Sequence, residues 1–108
     1  MDQLSFIEKK ESNYTLYELS GSFTFDTLDD FRPVLYKKIE ISNVVLDLSG
    51  ITGIDSSGVG LLLAARTDSE LFRHILYLLT PSDCVARALE ETGLIDMMKQ
   101  ITSIVEIS

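Results

Sequence analysis

Apolar positions recur along the chain at two spacings, close to two in some stretches and close to 3.6 in others, and the switches between them mark its elements. Leu4 to Lys9 and Tyr14 to Ser20 read as strands, and the polar Glu11-Ser12-Asn13 between them reads as a hairpin turn. Gly21 breaks the strand pattern. Leu28, Phe31, Leu35 and Ile39, with Val34 beside them, form a helical stripe that predicts a helix to about Glu40. Thr27 or one of Asp26, Asp29 and Asp30 is placed to cap it. Pro33 inside that helix would cost about 3 kcal/mol, so a start near Asp30, with Pro33 in the first turn, fits better.

Ser42-Asn43 ends the first helix. Val44-Val45-Leu46-Asp47-Leu48 is apolar except for Asp47 and predicts a central strand covered by helices. A second helix is expected from about Ser57 to Leu71, and His74 to Leu79 reads as another parallel strand. Thr80-Pro81-Ser82-Asp83 has the form of a helix start, with Thr80 as cap, Pro81 at the first helical position and Asp83 as the acid of a capping box. Val85, Ala88, Leu89 and Thr92 line one face of that helix, and Gly93 follows its end. Ile101 to Ile107 reads as a last edge strand. The order β-β-α-β-α-β-α-β predicts an α/β fold. Its sheet is mixed but mainly parallel, has four to five strands with interspersed helices, and forms a single domain over residues 1–108.

Composition narrows the function classes. A net charge of −8 argues against nucleic acid and anionic membranes as partners and suits a protein with a basic docking face. Cys84 is the single cysteine, so no disulfide forms within the chain and a reducing compartment is expected. No basic region followed by an apolar run stands at Met1-Asp2-Gln3-Leu4. The apolar segment around Val59 to Ala65 is far shorter than the roughly 20 residues that span a bilayer. These features predict a cytoplasmic protein without membrane insertion.

The parallel order brings three loops to one edge: Gly21 to Asp26, Ser49 to Gly58 and Thr80 to Asp83. Ser56 lies centrally among them, in the stretch Asp55-Ser56-Ser57-Gly58, where a helix start offers backbone N–H groups and a positive dipole end to a phosphate. Asp26, Asp29, Asp30, Asp55 and Asp83 make the edge acidic, or serve as caps of their helices. Ser56 and Ser57 are likewise either helix caps or, for Ser56, an acceptor of a phosphoryl group that switches binding without refolding. A hydrolase triad fails, because His74 starts its strand roughly 17 Å from Ser56 and the residue two before Ser56 is Ile54 rather than glycine. A phosphate-binding loop fails too: Gly53 and Gly58 are correctly spaced, but Val59 and Gly60 follow where lysine and serine or threonine are required. No cluster of histidine and cysteine suits a metal. Cys84, just after a helix start, is either a packed thiol or one of slightly lowered pKa. Phe23, Phe25 and Phe72 are either core residues or exposed anchors.

The stretch Val44 to Gly60, with Asp55-Ser56-Ser57-Gly58 at its centre, resembles the STAS domain of bacterial anti-sigma factor antagonists. Gly21, Thr27, Thr80-Pro81, Leu89-Glu90 and Gly93-Leu94 fall in the same register, so the resemblance spans nearly the whole chain. It implies a non-enzymatic domain, without cofactor or metal, whose Ser56 is phosphorylated by an anti-sigma serine kinase of the histidine-kinase-like ATPase fold. The unphosphorylated form binds that kinase and frees the sigma factor, and a PP2C-type phosphatase restores it. Nucleotide and Mg²⁺ belong to the kinase. The residues implied in partner binding are Thr24, Asp26, Thr27, Asp55, Ser57, Gly58, Val59, Gly60, Ser82 and Asp83. The alternative is a STAS scaffold subunit of a transporter or signalling complex, in which Ser56 only caps its helix. Three departures stand out: Thr24 where the family often has an acid, Leu71-Phe72-Arg73-His74 where it usually has glycine, and Ser108 where many relatives continue into a further helix.

Overall fold

The computed structural model describes residues 3–107. Strands β1 (Leu4–Lys10) and β2 (Thr15–Phe23) form the expected hairpin, closed by the Glu11 amide donating to the Tyr14 carbonyl at 2.9 Å. Helix α1 (Phe31–Ile41), strand β3 (Val44–Ile54), helix α2 (Ser56–Leu71), strand β4 (Leu76–Leu79), helix α3 (Asp83–Glu91) and strand β5 (Lys99–Ile101) follow. The sheet order is β1-β2-β3-β4-β5, with β1 antiparallel to β2 and the other neighbours parallel.

This order never reverses, and right-handed crossovers in such a sheet all fall on one side. Phe31, Leu35 and Ile39 of α1, Leu61, Leu62 and Ala65 of α2, and Val85 and Leu89 of α3 share one core with Tyr17, Leu19, Val44, Leu46, Leu48, Leu76 and Leu78. A fully buried aliphatic or aromatic side chain of this kind contributes about 1.5–3 kcal/mol. The other face carries Val45, Tyr77 and Ile101 and is covered by Tyr14, Ile104 and Ile107. β3 is the central strand and is covered by helices on one face, while the C-terminal segment covers the other. That segment is not the strand expected from Ile101 to Ile107. After β5 the Glu106 carboxylate accepts from the Thr102 and Ser103 amides, and a single turn at Ile104–Glu106 swings Ile104 and Ile107 against the sheet.

β2 does not end at Gly21. It passes through that glycine at φ +96, where a Cβ would sit 1.9 Å from the Gln3 carbonyl oxygen, so only glycine allows the strand to continue beside β1. β3 is longer than the apolar run. Two register shifts against β2, between Glu18 and Ser20 and between Gly21 and Ser22, let it carry extra residues as bulges. Asp47 braces the first of these, accepting from the Ser49 amide at 3.0 Å and the Ser49 hydroxyl at 2.7 Å.

The helix starts depart from the expected caps. Pro33 is in the first turn of α1, but Asp30 makes no side-chain cap, and Thr27 instead buttresses the preceding turn. Thr80 does not cap α3. It adopts φ +42 and donates its amide to the Ile101 carbonyl, while Ser82 takes the N-cap position without a side-chain bond to the helix amides, its hydroxyl lying 3.4 Å from the Cys84 thiol. No bond completes a capping box at Asp83. Thr92 turns outward at the end of α3, its hydroxyl donating to the Ala88 carbonyl at 2.7 Å. His74 precedes β4 rather than starting it, with Nδ1 held 2.7 Å from the Ile39 carbonyl oxygen.

After α2, Arg73 takes the left-handed conformation at φ +62 while the His74 amide closes α2 on the Ser69 carbonyl at 2.8 Å. A side chain in that region costs about 1–2 kcal/mol. Arg73→Gly is expected to raise the free energy of unfolding by about 0.5–1 kcal/mol after the added freedom of the unfolded chain is offset. Equilibrium denaturation checks this, and a loss of stability would show that the arginine side chain makes up for its backbone strain.

Candidate functional site

Parallel pairing of β2, β3 and β4 brings the β2–α1, β3–α2 and β4–α3 connections to one edge. The middle connection has almost no loop: β3 ends at Ile54, Asp55 is the N-cap, and α2 begins at Ser56. Asp55 has extended backbone, and its carboxylate accepts the Gly58 amide through Oδ1 at 3.1 Å. The other oxygen, Oδ2, accepts the Phe25 amide at 3.1 Å, which ties the β2–α1 turn to the start of α2. Burial pushes the Asp55 carboxyl up, but the amides of Phe25, Gly58 and Ser57 outweigh it and hold the group below its ordinary pKa.

Thr27 fixes the rest of that turn. Its hydroxyl accepts from the Thr24 amide at 3.0 Å and donates to the Ser22 carbonyl at 2.7 Å, and its own amide donates to the Thr24 carbonyl. On the other side of β3, the Ser82 amide donates to the Leu48 carbonyl at 3.2 Å, and the Cys84 thiol lies 3.5 Å from the Ile51 carbonyl oxygen. Cys84 is half-buried between α3 and β3, the packed alternative of the two open from sequence.

The three phenylalanines part company. Phe23 is fully buried against Phe31, Phe25 is 70% exposed on the turn that Asp55 holds, and Phe72 is half-exposed at the far end of α2. The implied partner residues also divide. Asp26, Asp55, Ser56, Gly60 and Asp83 are exposed, Thr24, Thr27, Ser57 and Ser82 are half-buried, and Gly58 and Val59 are buried. A Cβ on Gly58 would stand 2.2 Å from the Phe23 carbonyl oxygen, so this glycine lets α2 pack directly on the end of β2. A Cβ on Gly60 would meet nothing within 4 Å.

The cap resolves one alternative left open by the residues alone. Asp55, not Ser56 or Ser57, caps α2, and Ser56 is an exposed first helical residue whose hydroxyl makes no bond among the described residues. It also narrows the picture of unoccupied helix amides waiting for a phosphate, since Asp55 already takes that of Gly58. In the sequence Phe25 is one of three equivalent phenylalanines; neither its exposure nor its tie to Asp55 has a signal in residue spacing. His74 is remote from this edge. It lines a pocket of about 310 Å³ at the other end of the sheet, with Arg66, Glu70, Asp96, Met97 and Lys99.

A sheet without a strand-order reversal has no crevice at its carboxyl edge. The fold and site thus define a small α/β domain that presents a surface around a helix start rather than a cleft around a reactive group. The chain belongs to the STAS domain family, whose model matches residues 6–107. Among solved structures it is similar to the anti-sigma factor antagonist SpoIIAA in its unphosphorylated form, with 22% identity, a TM-score of 0.79, and coverage of 95% of this chain and 93% of that one. It is also similar to the Bacillus cell fate determinant SpoIIAA in the phosphorylated form, at 21% identity, a TM-score of 0.74, and coverage of 95% and 96%. A sulfate transporter family protein from Wolinella succinogenes matches at 25% identity and a TM-score of 0.73, covering 91% of this chain and 84% of that one. No curated protein sequence matches the chain. No helix among the described residues is long and apolar enough to cross a membrane.

Two outcomes follow from this geometry. Gly58→Ala forces α2 away from Phe23 and is expected to cost about 1–3 kcal/mol, read as a lowered Tm. Asp55→Ala is expected to cost about 1 kcal/mol at neutral pH through the lost cap. Because the folded-state pKa of Asp55 is depressed, its contribution is present above the ordinary carboxylate pKa and is lost as pH falls through the folded value. The gap between wild type and Asp55→Ala should therefore narrow below about pH 4, and thermal melts across that range test it.

Proposed function

We propose that the protein is an anti-sigma factor antagonist. Its unphosphorylated form binds an anti-sigma serine kinase and so releases the sigma factor, and phosphorylation of Ser56 ends that interaction. One observation carries the reading: Ser56 stands exposed at the first position of α2 while its neighbours Asp55, Gly58 and Val59 are committed to the cap and the packing around it. A hydroxyl so placed can enter another protein's active site without disturbing the fold. Added phosphate brings about −1.5 to −2 charges to a surface that already carries Asp26, Asp55 and Asp83, so it acts on a docked partner more than on the domain.

Gly60 supports the same face as the docking surface. It follows Ser56 by one helical turn, it costs α2 about 1 kcal/mol relative to alanine, and nothing in the fold needs the missing Cβ. A bare helix surface beside the acceptor lets a partner backbone come close. Of the other residues assigned to this surface, Thr24, Thr27, Ser57 and Ser82 are half-buried and Asp26 and Asp83 are exposed. ATP and Mg²⁺ are bound by the kinase, a PP2C-type phosphatase removes the phosphate, and the cycle runs in the cytoplasm. The relative SpoIIAA, solved in unphosphorylated and phosphorylated forms, supports the modification.

The similarity to the Wolinella sulfate transporter family protein favours a second reading, a STAS subunit that serves as scaffold. In that reading Ser56 serves as a cap, a role that Asp55 holds here. Incubation with the kinase and ATP separates the two. One phosphate, mapped by mass spectrometry to Ser56 and absent from Ser56→Ala, is expected of the antagonist, with Ser56→Asp weakening kinase binding. Equal phosphorylation of Ser56→Ala, or none of the wild type, sinks the antagonist reading.

A further inference from the structure

Phe25 is a large aromatic side chain left 70% exposed, yet its backbone is not loose. Its amide is held by Asp55 Oδ2 at 3.1 Å, and the flanking Thr24 and Thr27 lock the turn through the Thr27 hydroxyl. An exposed ring on a fixed backbone loses little entropy on binding, which is the property of an interface anchor. It stands on the turn tied to the start of α2, where Ser56 lies, and the exposed carboxylates in the loops and helix starts of this edge are Asp26, Asp29, Asp30, Asp55 and Asp83. Among these, Asp29 has an ion pair, a long one of 3.9 Å to Arg32.

We infer that Phe25 is the apolar anchor of this docking surface, that Asp55 is its positioning residue, and that the matching partner face is an apolar pocket rimmed by lysine or arginine. The inference rests on the reading of Ser56 as the modified residue and extends it to how modification is felt. Asp55 has two carboxylate oxygens and uses one on α2 and the other on Phe25. A phosphoryl group on Ser56 adds a dianion next to that carboxylate and competes for the Gly58 amide that it caps. Repulsion shifts the carboxylate, the Phe25 amide loses its acceptor, and the anchor loses its fixed position. Phosphorylation thus removes a preorganised contact as well as placing charge on the surface.

The full chain, with phosphoserine installed at position 56 during translation, tests the coupling without any kinase. The Phe25 amide is expected to exchange at least about tenfold faster than in the unmodified protein, with the β4 amides unchanged. Asp55→Ala should reproduce this without phosphate, and Asp55→Asn, whose single side-chain oxygen can serve the helix or the turn but not both, should leave protection between the two. Unchanged Phe25 exchange in the phosphoserine protein overturns the coupling. For the anchor, Phe25→Ala is expected to weaken binding to the anti-sigma kinase at least about tenfold with Tm unchanged, and Phe25→Leu to fall between. Wild-type affinity of Phe25→Ala overturns the anchor, even where loss of phosphorylation in Ser56→Ala upholds the antagonist reading. Failure of the kinase to modify Ser56 defeats that reading instead and leaves the exchange result to decide the coupling.

Discussion

The Asp55 carboxylate is where three parts of the molecule are joined. It follows directly on β3, and with its two oxygen atoms it caps α2 and accepts the amide of the turn that leaves β2. An acceptor with a single oxygen at this position could satisfy the helix or the turn, but not both. The charge also suits the site, because a carboxylate at a helix N-terminus is favoured by the dipole and by the amides that it accepts. The exposed Ser56 and the exposed Phe25 are therefore fixed relative to one another by one side chain that is neither of them.

The sheet explains why the chemistry lies on a surface. Its strands follow in chain order without a reversal, so all three helices pack on one face and the carboxyl edge stays closed by bulges and short turns. A nucleotide-binding fold of the doubly wound type opens a crevice at the point of reversal, and nothing here creates one. What the edge offers is relief: a flat stretch of helix at Gly60, an aromatic ring at Phe25 and carboxylates around them. Recognition by another protein is the chemistry that such relief supports. The face opposite the helices is closed differently, by Ile104 and Ile107 on a turn that Glu106 holds in place.

Element order and type were legible in the residues, because each helix and most strands carry a clear spacing of apolar positions. The stripe Phe31, Leu35 and Ile39 is the buried face of α1, and Pro33 lies in its first turn. Boundaries that depend on partners were not. β3 outruns its apolar run because bulges let Gly50, Ile51, Gly53 and Ile54 keep pairing with β2, and no local pattern encodes a bulge that another strand must accept. The last segment looked like a strand because Ile101, Val105 and Ile107 are β-branched. The spacing of Ile101, Ile104 and Ile107, together with Ser103 and Glu106 as a capping pair, was the better signal and marks a turn. Thr80 looked like a cap and is instead bent by its bond to β5, a strand over twenty residues later in the same direction of pairing.

By itself the sequence determined that this is a mainly parallel α/β domain with Asp55-Ser56-Ser57-Gly58 at the head of a buried helix, since apolar spacing and local capping residues act over a few positions. It also carried the family, because the stretch from Val44 to Gly60 is distinctive as a string. Only the tertiary structure decided which of Asp55, Ser56 and Ser57 is the cap, which phenylalanine is core and which is exposed, and that the turn after β2 hangs from the helix that follows β3. Those choices depend on an amide of Phe25 meeting a carboxylate thirty residues away, and such a meeting is fixed by the register of parallel strands rather than by anything near either residue.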